Sequence, residues 1–218
     1  MFLKIDSISI QRNKKLLFQD FNLNLKKSQT LILKGSNGIG KSTLLETIAG
    51  ILETKRGKIL IDTNKLLSGV QKKILFIGHE NCLKDSLSVF ENLNVWLRLN
   101  KIILSKRQIT KKLSFFKIDN LCDSSLKSLS MGQKRKVALS KLLFTESFVW
   151  ILDEPTNGLD AQSERKFLSL LDAHQKKGGS TILSSHLKFQ FKTALIIDLN
   201  KFAFQKKTHP EFNSWEML

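Results

Sequence analysis

A chain of 218 residues, 41% hydrophobic and 25% charged, can bury a sizeable core without disulfide staples, and its composition is that of one globular domain rather than a disordered or fibrous chain. It contains no apolar run of about 18 residues, so no membrane-spanning helix is expected. Lys and Arg number 36 against 19 Asp and Glu, a net charge of +17. The lysines are scattered as pairs such as Lys14-Lys15, Lys72-Lys73 and Lys206-Lys207, with no RNA-binding motif or basic helix-turn-helix. The reading is therefore no nucleic acid partner. Coding bias combined with solubility, and attraction to acidic lipid headgroups, both remain open as origins of the charge. Cys82 and Cys122 form no CxxC pair and lie near no His cluster, as expected of two reduced thiols.

The opening stretch enters an alternating strand-like pattern at Ser7–Ile10 and lacks the features of a secretory signal, so the protein is expected to stay on the side where it is made. Phe21–Leu25 alternates as a half-buried strand, and Leu31-Ile32-Leu33 is a short apolar one. Ser42–Ala49 reads as a helix with Leu44, Leu45, Ile48, Ala49 and Leu52 on one side. Strands recur at Ile59–Ile61 and Ile74–Ile77. From about residue 82 to 146 helical patterns dominate, a subdomain inserted into the connectivity of the sheet. Phe148–Leu152 is an uninterrupted apolar run, which requires burial on both faces in a parallel sheet. Asp160–His174 reads as a helix whose stripe is Phe167, Leu168, Leu170 and Leu171, and Thr181–Leu183 and Leu195–Ile197 are the last strands. Strands alternating with helices predict an α/β fold in one domain spanning 1–218.

Between the strand at Leu31 and the helix at Ser42 stands Gly35-Ser36-Asn37-Gly38-Ile39-Gly40-Lys41-Ser42, which matches GxxxxGK[ST] in its required strand–helix context. Glycines let the backbone turn its N–H groups onto phosphate oxygens, and the helix that follows presents its positive end to the same charge. Lys41 is placed to reach the β- and γ-phosphates, and Ser42 to ligate Mg²⁺; Ile39 and Thr43 complete the binding loop. Asp153-Glu154 follows directly on the buried strand. Asp153 is a candidate for the metal shell and Glu154 for the base that takes a proton from the attacking water. ATP and Mg²⁺ are the implied cofactors.

Leu129-Ser130-Met131-Gly132-Gln133 resembles the LSGGQ signature of the ABC ATPases. Gly158-Leu159-Asp160 resembles that family's D-loop, and His186 at the end of the Thr181 strand its switch histidine. The resemblance implies an ABC-type P-loop fold with a mixed or parallel core sheet, an antiparallel β subdomain and the inserted helical subdomain. It further implies a head-to-tail homodimer with two ATPs sandwiched between phosphate loops and the partner's Ser130, Gly132 and Gln133. Glu154, His186 and Lys41 would form the catalytic set. Where the family usually ends a strand with glutamine, this chain has His79, which can still hold a Mg²⁺-bound water. Register places Arg12 where the family has an aromatic residue on adenine; a guanidinium plane can also stack there.

Ile77-Gly78-His79, the compact length and the Ser36-Asn37-Gly38 loop resemble the ATP-binding subunits of haem exporters in cytochrome c maturation. That branch implies polytopic membrane partners of the CcmB and CcmC type. It implies a peripheral location on the cytoplasmic face of the bacterial inner membrane, or on the matrix face of the mitochondrial one. The ATPase subunit of another small ABC exporter is the alternative. A soluble ABC ATPase would carry two cassettes or a coiled-coil insert, and a regulator without turnover would not need Glu154 and His186.

Overall fold

A computed structural model describes residues 3–61, 74–185 and 194–202. Strands β1 (Leu3–Arg12) and β2 (Lys15–Leu25) form a hairpin whose turn residues, Asn13 and Lys14, both have positive φ. That is the backbone twist a two-residue hairpin loop requires. β4 (Arg56–Ile61) pairs antiparallel with the other edge of β1, giving a three-stranded sheet in the order β2-β1-β4.

The second sheet is parallel throughout, in the order β5 (Ile74–Ile77), β6 (Val149–Asp153), β7 (Ser180–Ser184), β3 (Thr30–Lys34), β8 (Ala194–Asp198). All five residues of β6 are buried, as its apolar run requires. Its two faces serve different layers. Val149 and Ile151 pack with Leu3, Ile8, Phe18 and Phe21 of the antiparallel sheet and with Leu44, Leu45 and Ile48 of helix α1 (Lys41–Ile48). Trp150 and Leu152 pack on the helical side with Leu93, Val137, Phe167 and Leu171.

Between β5 and β6 lie α2 (Val89–Leu99), α3 (Lys106–Leu113) and α4 (Met131–Ser140). Each begins with a reciprocal cap: Ser88 with Glu91, Ser105 with Gln108, and Ser130 with Gln133. A serine followed three residues later by Glu or Gln satisfies two helix-end donors at once, so these starts are locally encoded. α5 (Ala161–Lys176) is capped by Asp160. Its buried stripe is Ser163, Phe167 and Leu171, spaced at i, i+4 and i+8, while Leu168 and Leu170 are only partly buried at its margins. Leu52 likewise departs from expectation: α1 ends at Ile48, and Leu52 is 37% exposed beyond it. Cys82 is exposed, Cys122 is buried, and both are free thiols. No helix among the described residues is long and apolar enough to cross a membrane.

His174, near the end of α5, stacks face to face on Trp150 with centroids 3.7 Å apart. Burial pushes its pKa down to about 4, opposed by backbone hydrogen bonds and aided by the Lys177 charge. An unfolded histidine titrates near 6.5. Between those values the unfolded chain therefore binds the extra proton, and stability falls as pH drops from 7 to 4, by roughly 3 kcal/mol in total. Melting temperature followed against pH should show this acid limb flattened in His174→Phe, which keeps the stacked ring. Parallel curves for the two proteins would refute the assignment.

Candidate active site

The loop from Gly35 to Ser42 joins β3 to α1 at the carboxyl end of the parallel sheet. Gly40 caps α1 in the left-handed region (φ 110), and a Cβ there would fall 2.9 Å from the Phe18 ring. Both the backbone and the close approach require glycine. Lys41 is 8% exposed, and its ammonium donates to the carbonyls of Gly35 (2.9 Å) and Ser36 (3.3 Å), curling the loop around itself. From the turn after β8, Asn200 Oδ1 accepts from both Ser36 N (3.3 Å) and Ser36 Oγ (2.9 Å). Ile39 N donates to the Ser36 carbonyl at 3.3 Å.

This loop forms one wall of a cavity of about 790 Å³, with Asn37, Gly38, Gly40, Lys41, Ser42 and Thr43 lining it. The opposite wall is Asp153, Glu154, Asn157 and His79, delivered by the ends of β6 and β5. The β1–β2 hairpin closes a third side with Arg12, Asn13, Lys15 and Leu17. Asp153 is 2% exposed, and its Oδ1 accepts from Ser184 Oγ at 2.5 Å. The same hydroxyl accepts from Glu154 N at 2.8 Å, so Ser184 locks the two acidic residues in register. The Arg12 guanidinium is fixed over α1, donating to Thr43 Oγ1 (3.1 Å) and Glu46 Oε2 (3.0 Å). Among the described residues no group of three or more His, Cys, Asp and Glu could cage a metal ion. A hydroxyl and one carboxylate beside a phosphate loop are hard oxygen donors that suit Mg²⁺, which keeps waters and borrows phosphate oxygens.

Ser130, Gly132 and Gln133 do not line this cavity. Ser130 is exposed at the start of α4, where its hydroxyl accepts from Gln133 N (3.2 Å) and its N–H donates to Gln133 Oε1 (2.8 Å). The glutamine side chain is thus committed to shaping the helix start. A Cβ on Gly132 would fall 2.5 Å from the carbonyl oxygen of Gly158, so signature and D-loop touch backbone to backbone. Next to that contact Lys136 Nζ pairs with Asp160 Oδ2 at 2.6 Å, and this bond, with Ser163 N–H, holds the Asp160 carboxyl well below the usual carboxylate range. His186 lies outside the described residues. The sequence reading did not find Asn157, Asn13, Lys15, Leu17, Ser184 or Asn200. Only the hairpin residues had a local signal, their adjacency to Arg12.

A sequence model of the ABC transporter family matches residues 18–157. The cytochrome c biogenesis ATP-binding export protein CcmA of Roseobacter denitrificans is 33% identical over 199 residues, covering 91% of each chain. That of Reclinomonas americana is 34% identical over 201 residues, covering 91% of this chain and 90% of the relative. Among solved structures, an ATP-binding protein from Pyrococcus furiosus superimposes with a TM-score of 0.78 at 26% identity, covering 94% of this chain and 100% of that one. A dimeric ATP-binding cassette holding ADP and Pi has a TM-score of 0.71 at 22% identity, covering 85% of this chain and 88% of that one, a likeness of fold. With a phosphate loop facing the Asp153-Glu154 pair across one cavity, and these relatives over nine-tenths of its length, the chain belongs to the ABC transporter family as an ATP-hydrolysing subunit of the cytochrome c biogenesis export type.

Proposed function

We propose that the protein is the ATPase of an exporter that handles haem for c-type cytochrome assembly, working as a homodimer on polytopic membrane subunits of the CcmB and CcmC type. The supporting observation is the single cavity in which Lys41, Ser42, Asp153, Glu154 and His79 converge, in a chain of the cytochrome c biogenesis export type. In this reading loop amides and Lys41 hold the β- and γ-phosphates, while Arg12 and Leu17 face the base. Ser42 and Asp153 would ligate Mg²⁺, with His79 reaching it through water; the ion neutralises charge on the phosphates when bound. Glu154 takes a proton from the water that attacks the γ-phosphorus, the bond to the β-phosphate oxygen breaks, and ADP leaves. His186 contacts the γ-phosphate, and Ser130 and Gly132 of the partner complete the site. The whole chain, 1–218, acts as one ATP-binding domain whose helical part, roughly 82–146, faces the membrane subunits. Its location is peripheral, on the cytoplasmic face of a bacterial inner membrane or the matrix face of a mitochondrial one.

Depletion of the protein should abolish c-type cytochromes, and detergent extracts should yield it bound to polytopic subunits. Retention of normal c-type cytochromes, with the membrane complex intact, would assign the ATPase to another small exporter.

A further inference from the structure

Arg135 lies in the second turn of α4 and is 4% exposed. An arginine so deeply placed ordinarily needs a carboxylate partner, because losing water around the charge is expensive. Here every guanidinium N–H instead meets an oxygen of the polypeptide. Nε donates to Pro155 O (3.2 Å), NH1 to Gly78 O (2.9 Å) and Asn81 Oδ1 (3.0 Å), and NH2 to Asp153 O (2.7 Å) and Glu154 O (3.0 Å). A guanidinium has five N–H donors in a fixed planar fork. All five are used, and they join three segments: α4, the loop carrying His79, and the loop carrying Glu154.

The Glu154 backbone explains why such a tie is needed. Its φ of 48 puts it in the left-handed region, which is strained for a non-glycine residue and persists only where neighbours over-determine it. The N–H of Glu154 is held by Ser184 Oγ at 2.8 Å, and its carbonyl by Arg135 at 3.0 Å. Both peptide groups around Cα are pinned, and the residue lines the same cavity as Lys41 and Ser42.

We infer that Arg135 is a positioning residue for hydrolysis: it fixes the strained Glu154 peptide and ties it, with the His79 loop, to the helix that begins at Ser130. The inference rests on the proposal that Glu154 is the base. Displacement of α4 when its exposed start meets a partner's nucleotide reaches the His79 and Glu154 loops, the wall opposite the phosphate loop, through one rigid fork. Burial lowers the Arg135 pKa to about 10, against the opposing pull of the Asp153 and Glu154 charges, so the fork stays charged at neutral pH.

The test compares Arg135→Gln, Glu154→Gln and the double variant in the full chain, reading kcat, KM for ATP, and the thermal shift with Mg-ATP. Arg135→Gln is expected to lower kcat at least about 10-fold, with KM and the thermal shift within about twofold of wild type. The double variant should be no slower than Glu154→Gln alone, because a base already lost cannot be mispositioned. Losses that multiply, or a fall expressed in KM and nucleotide binding, would show a merely structural arginine. Glu154→Gln alone reports on the base assignment, so the two readings fail separately. If Arg135→Gln does not fold, Asn81→Ala removes one of the five acceptors from a surface loop. It should lower kcat a few-fold at constant KM; an unchanged kcat there overturns the inference.

Discussion

Glu154→Gln is expected to lower ATP turnover by about 10²–10⁴-fold while leaving nucleotide binding intact, the range for a lost general base. Glutamine has nearly the same shape but cannot accept the proton of the attacking water. The backbone contacts that place residue 154, from Ser184 and Arg135, do not involve its side chain and should survive. The phosphate loop is separately built, by Lys41 on the Gly35 and Ser36 carbonyls and Asn200 on Ser36, so thermal stabilisation by Mg-ATP should persist. In the proposed head-to-tail dimer hydrolysis would reopen the ATP-bound interface, so the variant should also remain dimeric in ATP on a sizing column. Phosphate release within about twofold of wild type would remove Glu154 from the role of base.

The elements legible in the sequence were those with a local physical cause. The run Phe148–Leu152 announced burial on both faces because nothing polar interrupts it, and the two core clusters divide β6 face by face. The phosphate loop was legible from glycine, lysine and serine at fixed spacing between strand and helix. What escaped depends on contacts distant in sequence. Asn200 reaches Ser36 across 164 residues, and Ser184 reaches Asp153 across 31. Arg135 sits among Lys134 and Lys136, and a basic run on a helix reads as a solvated face. Its neighbours do pair with exposed acids, Lys134 with Asp85 and Lys136 with Asp160, whereas Arg135 turns inward. The α5 stripe narrowed for a related reason: Leu168 and Leu170 are hydrophobic, but only Ser163, Phe167 and Leu171 share the azimuth that meets the sheet.

Composite sites are tested most sharply by complementation between two dead variants. The exposed start of α4 does not line its own chain's cavity, so under the head-to-tail reading Ser130 acts on the partner's nucleotide. Gly132 is a poor position for the test, because any side chain there would collide with its own chain's Gly158 carbonyl at 2.5 Å. Ser130→Asp is better: aspartate caps helices as well as serine does, so α4 should keep its start. The new carboxylate would face an arriving γ-phosphate in a partly dehydrated interface, where like charges at about 4 Å repel by several kcal/mol. Each Ser130→Asp subunit should still bind ATP, since Lys41 and its loop are untouched, but neither dimerise nor turn over. Lys41→Ala should fail differently, losing the thermal shift with Mg-ATP because the cation facing the phosphates is gone. In a heterodimer of the two, one site carries both lesions and the other carries neither. Mixing the inactive proteins should therefore restore phosphate release, and more so at protein concentrations that favour dimers. Heterodimers that form and stay inactive would deny that one intact site suffices. Wild-type turnover by Ser130→Asp alone would remove Ser130 from the site in either chain.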